Sequence, residues 1–354
     1  MTQLAKLFEI NRQGFSLRSG IFVLVVLLVP LIVLAAIGQQ KYWPSVAYGA
    51  LLVALSDPGG GYADRAARMA GFAVVGALLT ALAFGIGDQA WGWVVLAAFG
   101  VTLLAGLAVK LGRRSFAAGN LLNMWFIVVL SLPAVYRLGH IRTSPWAQAL
   151  AWLAGSALVI VLTFIVWLAR GRKAQPPGVL PADTTSVELT RPVILFAVLR
   201  AVALAITVAI AFGLHLPNAA WMPIATIVAM KPSLQQSALV AEQRLAGAIL
   251  GAVVAAILLL TVGNKYALEA VMVVLGALAG SIYAVNYAFY TAATAAVVLI
   301  AADVPHPADL TAEGRRILFT FIGVGIAVLV MFLASLLQKR TATAAPQSPQ
   351  ASTA

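Results

Sequence analysis

The chain has 354 residues, of which 62% are hydrophobic and only 10% charged, and its mean hydropathy is +0.98. A soluble domain carries about 25% charged residues, so the composition excludes that class and specifies an integral membrane protein. The net charge of +12 fits Lys and Arg gathered in cytoplasmic loops and excludes a nucleic-acid partner, while the absence of cysteine excludes disulfides, thiolate metal sites and thiol nucleophiles.

Residues 1–19 read as a cytoplasmic N-terminal segment. Lys6, Arg12 and Arg18 precede the apolar run IFVLVVLLVPLIVLAAIG, which imitates a secretory signal. The run is long enough to span a bilayer, and a matching one recurs later, where cleavage makes no sense, so it reads as a retained helix. Twelve apolar stretches follow one another. The first six are 20–38, 42–56, 67–86, 90–110, 115–135 and 146–169, making a first repeat over 20–169. A Pro- and Thr-bearing linker at 170–191 follows. The second six are 192–214, 218–231, 243–262, 265–280, 281–302 and 315–337, making a second repeat over 192–337. The tail 338–354, rich in Ala, Thr, Pro and Gln, reads as disordered and cytoplasmic. Backbone groups in lipid must bond within their own segment, so each stretch is expected to be helical. The predicted fold is an all-α polytopic membrane protein of about twelve transmembrane helices. The division at Gly280-Ser281 is placed by treating that pair as a turn.

With the N-terminus inside, seventeen of the 23 Lys and Arg fall on the cytoplasmic side. The bias predicts a multi-pass membrane protein with both termini cytoplasmic.

The halves share landmarks in order. Trp43-Pro44 leads a short segment that ends at Asp57-Pro58 and is followed by Arg68-x-x-Gly71. Trp221 and Pro223 lead another that ends at Lys231-Pro232 and is followed by Arg244-x-x-Gly247. Leu17-Arg18 matches Leu199-Arg200, and Ser115 with Asn120 matches Ser281 with Asn286. This order predicts two parallel six-helix repeats about an axis along the membrane normal. Residues i and i+3 share a helix face. Gly71, Gly247 and Gly251 are therefore expected to admit a neighbouring backbone and to hold their arginines toward the bundle.

The stretch AAWMPIATIVAMKPSLQQSALVAEQRLAGAILGA, residues 219–252, resembles the fusaric-acid-resistance family of bacterial membrane proteins. Residues 42–71 carry a weaker copy. The family often has Gly-Thr after the arginine, where this chain has Gly247-Ala248 and Gly71-Phe72. The resemblance implies an aromatic carboxylic acid exporter, distantly similar to plant malate channels. Some members couple to a periplasmic adaptor, and large ones carry a cytoplasmic domain that the short linker here does not provide.

Several constellations fit an organic anion. Arg18, Arg68, Arg200 and Arg244 can line a cytoplasmic vestibule, since a guanidinium takes a carboxylate bidentately. The same arginines also suit lipid headgroups. Asn120 and Trp125, with Asn123 nearby, sit in the fifth stretch of the first half. Tyr283, Asn286 and Tyr290 sit in that of the second, spaced to share one helix face. Amides and rings suit a flat aromatic acid, and they suit helix packing equally. Asp57 and Lys231 occupy matching positions with opposite sign and can pair across the repeat axis. Glu269 can pair with Lys265 at i,i+4. No carboxylate or His falls in mid-span, and His140, His215 and His306 fall in loops or at helix ends. The chain lacks His-Glu-x-x-His, a Walker loop and Gly-x-Ser-x-Gly. No enzyme activity, cofactor or metal is implied.

The function expected is efflux of a small organic anion, an aromatic carboxylate by resemblance, with membrane lipids as the other partner. A passive anion channel and a non-transporting scaffold or lipid-binding protein are the alternatives. Sequence leaves open a homodimer and a periplasmic adaptor.

Overall fold

The computed structural model describes residues 7–87, 89–174, 188–216, 219–230, 238–301 and 310–343. Among these, every regular element of more than one residue is a helix. The α-helices are α1 (Leu17–Ala36), α2 (Trp43–Ser56), α3 (Tyr62–Ile86), α4 (Trp91–Leu107), α5 (Arg113–Val129), α6 (Leu132–Leu138), α7 (Pro145–Ala169), α8 (Arg191–Val208), α9 (Trp221–Ala229), α10 (Ala238–Thr261), α11 (Lys265–Ile282), α12 (Tyr287–Ala301) and α13 (Leu310–Thr343). Each predicted stretch contains a helix. The fifth divides at Leu130-Ser131 into α5 and the short α6. A π-turn over Ala209–Gly213 extends α8.

Seven helical segments are long and apolar enough to cross a bilayer: Leu17–Ala36, Tyr62–Ile86, Trp91–Leu111, Arg113–Arg137, Pro145–Ala169, Val193–Gly213 and Lys265–Ile282. Ala246–Thr261 and Leu318–Leu333 are shorter apolar stretches. The short, proline-marked helices fall below span length. At 1.5 Å per residue, α2 reaches about 21 Å and α9 about 14 Å, against about 30 Å of hydrocarbon. The twelve-span expectation is therefore corrected in kind. The helices are present, but several are too short to cross alone.

The division between α11 and α12 lies at residues 283–286, not at Gly280-Ser281. Gly280 is a packing residue inside α11, and a Cβ there would meet the Val23 side chain of α1 at 2.7 Å. The turn is set instead by Asn286, whose Oδ1 accepts from the backbone N–H of Ala288 (2.8 Å) and Phe289 (3.0 Å) and so caps α12. Tyr283 and Asn286 consequently lie in a turn and not on one helix face with Tyr290.

The packing units do not coincide with the sequence halves. One apolar cluster joins α1 and the start of α2 to α10, α11 and α12 through Leu27, Leu31, Trp43, Leu259 and Met272. The larger cluster joins α2 to α7 with α8, α9 and α13. Each half lends its first helix to the other, since α1 packs along α11 and α8 packs along α4. Small residues form both seams. Gly20 of α1 lies against Ser281, and a Cβ on Gly106 of α4 would come within 2.7 Å of Ala197 on α8.

The glycine part of the arginine-glycine expectation holds in the second half, where the Arg244 side chain lies outside the described residues. Added Cβ atoms at Gly247 and Gly251 would strike the Ala288 and Ala292 carbonyls of α12, and α10 and α12 form one of the most extensive helix pairs. Gly71 faces open space. The glycine that packs in α3 is Gly76, which lies under the Trp152 indole.

Candidate functional site: a buried guanidinium–carboxamide cluster

Arg200 is the tenth residue of α8, about 13 Å along the helix by rise and inside the apolar stretch Val193–Gly213. It is only 3% exposed. Its phase in α8 matches Ala197, Ala201, Leu204 and Val208, all buried, so helix periodicity turns the guanidinium into the protein. Nη1 donates to Asn120 Oδ1 of α5. Both helices pack on α4, and from α4 the Thr102 hydroxyl donates to Asn123 Oδ1 at 3.1 Å. Thr102 and Asn123 are completely buried.

The cluster is rich in donors. Asn120 Oδ1 and Asn123 Oδ1 are both occupied, while Asn120 Nδ2 and Asn123 Nδ2 are buried without an acceptor. Leaving a buried donor unmet costs about 1–3 kcal/mol, and a cation within a span adds about 2.5–3.5 kcal/mol on insertion scales. Oxygen acceptors would satisfy the unmet amide donors of Asn120 and Asn123.

The other predicted residues lie elsewhere. Trp125 is fully buried on a different side of α5. Its ring stacks on Trp152 of α7 (centroids 5.0 Å apart) and tilts against Tyr48 of α2 (4.8 Å), and its Nε1 donates to Thr80 Oγ1 of α3 at 2.8 Å. Tyr283 and Tyr290 meet edge to face at 5.5 Å near the start of α12. There Asn286 Nδ2 donates to the carbonyls of Leu7 and Glu9, each at 3.0 Å. Arg18 and Arg68 are exposed, so neither shares the buried setting of Arg200. Arg244 lies in α10, with its side chain outside the described residues.

Sequence reasoning missed Arg65. It is 1% exposed and heads the buried face of α3, which continues through Met69, Ala73, Gly76 and Thr80. Nε donates to Asp57 Oδ1 at 2.8 Å, and Nη2 pairs with Oδ2. Asp57 also accepts from the Gly59 N–H at 2.9 Å. Asp57, the residue immediately after α2, is thus engaged by Arg65, and its expected partner Lys231 lies outside the described residues. Arg68, three positions on, heads the stripe Gly71, Val75, Leu78 and Leu82, all exposed and lipid-facing in character. It lies close enough to Arg114 for the two charges to interact, which suits a headgroup-level basic patch. The carboxylate of Asp57, eight residues before Arg65, was the signal that could have separated the two arginines.

A family model described as fusaric acid resistance protein-like matches residues 196–330. This bears out the resemblance drawn from residues 219–252. The match begins four residues before Arg200 and extends into α13. No curated protein and no solved structure matches the chain.

Proposed function

We propose, for a chain that is fusaric acid resistance protein-like over residues 196–330, that it carries small organic anions across a bacterial inner membrane, aromatic carboxylates being the favoured class. The family match makes transport the expected role and enzyme activity an unexpected one. The observation that carries the site is the buried donor set of Arg200, Asn120 and Asn123 on α8 and α5, with two carboxamide nitrogens that have no protein acceptor. A carboxylate supplies the missing acceptors, and a guanidinium holds it with direction as well as charge.

The cluster joins residues of the first half to one of the second. That placement suits a pathway at the interface of two six-helix repeats. The duplication is supported by the landmarks in sequence and by the reciprocal lending of α1 and α8. Arg18, with Arg244 on the helix after α9, would concentrate anions at a cytoplasmic mouth, while Arg68 would face the lipid headgroups. Trp125, Tyr283, Asn286 and Tyr290 would serve the route outside the donor cluster. A passive channel is the second reading, favoured by the absence of any acid at the centre of a span in the sequence.

The test is counterflow of radiolabelled benzoate in proteoliposomes. Wild type should exchange benzoate and Arg200→Gln should not, at equal folded protein. Exchange by Arg200→Gln at the wild-type rate defeats the site assignment. Accumulation against a gradient under an imposed ion or pH gradient separates an exporter from a channel.

A further inference from the structure

The segment before α1 does more than lead into it. Residues 7–16 cross from the start of the first half to the α11–α12 turn of the second. The Asn11 N–H donates to the Val285 carbonyl, and the Ser16 N–H donates to the Ser281 carbonyl, each at 2.9 Å. Asn286 Nδ2 donates to Leu7 and Glu9, and Gln243 Nε2 of α10 donates to Leu7 at 3.2 Å. Phe8 packs on Phe289 with centroids 5.7 Å apart. Between the segment and the α11–α12 turn is an open cleft of about 530 Å³ lined by Glu9, Asn11, Gln243, Tyr283, Asn286 and Tyr287.

We infer that residues 7–16 are a displaceable strap that forms one wall of this polar pocket and so regulates access to the bundle from the end at which α1 begins. The strap is held almost wholly by bonds to main-chain carbonyls. Its residues 8–13 are exposed, and after Leu7 its regular structure is one 3₁₀ turn over Arg12–Gly14. Few buried apolar contacts and exposed hydrogen bonds are the marks of a segment that opens before the core does. Asn286 needs only its oxygen to cap α12, so both bonds from its nitrogen are spent on the strap. Lifting the strap would free the amide donors of Asn286 and Gln243 and withdraw the Glu9 carboxylate from the pocket. Both changes make the pocket more hospitable to an anion, so the strap opposes anion entry while it is seated. This gating role rests on the transport function proposed above, whereas the strap and its pocket do not.

Gly14 supplies the means of testing it. A Cβ there would strike the Ala284 carbonyl, so Gly14→Leu should unseat the strap without altering any pocket residue. The natural chain has no cysteine, so Tyr287→Cys is a single reporter in the full-length protein. In detergent, maleimide labelling of Tyr287→Cys should rise at least about tenfold when Gly14→Leu is added, with an unchanged unfolding temperature. Asn11→Pro is a second variant, and it also removes the side-chain acceptor of the Gln13 N–H. Its φ of −86° is near the proline value and the change removes the donor to Val285 together with that cap, so labelling should rise in the same direction. Equal labelling rates in all three proteins overturn the strap. Faster labelling with benzoate exchange no faster than wild type overturns its gating role. Absence of exchange in wild type itself counts against the transport function and leaves the labelling result to decide the strap.

Discussion

The Arg200 guanidinium of α8 donates to the Asn120 side-chain oxygen of α5, and neither residue is more than 9% exposed. This bond joins the two halves of the chain inside the region where water is excluded. Replacing Asn120 by Ala removes an acceptor from a buried cation. The expected loss is about 1.5–3 kcal/mol of stability, the range for a hydrogen bond to a charged group. Arg200→Lys should keep the charge and lose the fork, so binding of a planar carboxylate should fall more than stability does. Thermal unfolding of purified protein, with and without benzoate, checks both.

The Asp57–Arg65 pair makes a second prediction. Asp57→Ala leaves the Arg65 charge buried and unpaired, which should destabilise the protein by about 3–5 kcal/mol. Combining it with Arg65→Met should recover most of the loss, because a buried ion pair is often replaceable by apolar groups of similar volume. Denaturant titration of the two variants decides the matter. A double variant no more stable than Asp57→Ala would show that the pair has a further role.

Two glycines should behave oppositely despite their matching sequence context. Gly247→Leu must push α12 away from α10, and overpacking of this kind costs about 1–3 kcal/mol. Gly71→Ala meets nothing within 4 Å and replaces a helix-interior glycine, so it should stabilise by about 0.5–1 kcal/mol. Comparing the unfolding temperatures of the two variants tests the register assigned to α3.

Trp125 separates packing from transport. Its indole fills the space among Tyr48, Thr80 and Trp152, so Trp125→Ala should cost about 3–5 kcal/mol. Thr80→Val keeps the shape and removes the hydroxyl that accepts from Nε1 and donates to the Gly76 carbonyl, at about 1–3 kcal/mol. If benzoate exchange per folded molecule survives Thr80→Val, the ring serves packing. A selective loss of exchange would assign it to the pathway.

The helices were legible in the sequence because lipid leaves the backbone no alternative, and apolar runs mark where that constraint applies. Phase was less legible. Arg65 and Arg68 are three residues apart, and only the partners of α3 decide which one turns inward. Asp57 and the buried series ending at Thr80 were the available clue. The α11–α12 boundary was misplaced because Gly280 looks like a turn residue, whereas in a membrane bundle glycine often marks close packing. Asn120 and Asn286 occupy matching places in the two halves yet differ in role. One lies within a helix and holds Arg200, while the other caps a helix and holds the strap. No local pattern distinguishes these uses, because each depends on a partner at least 80 residues away in sequence.

The most direct test of the buried anion site is ligand-dependent unfolding of wild type and Arg200→Gln in the same detergent. An aromatic carboxylate at about 100 times its dissociation constant should stabilise wild type by about 2.7 kcal/mol and leave Arg200→Gln unmoved. Equal stabilisation of the two proteins would place the anion somewhere other than between α5 and α8.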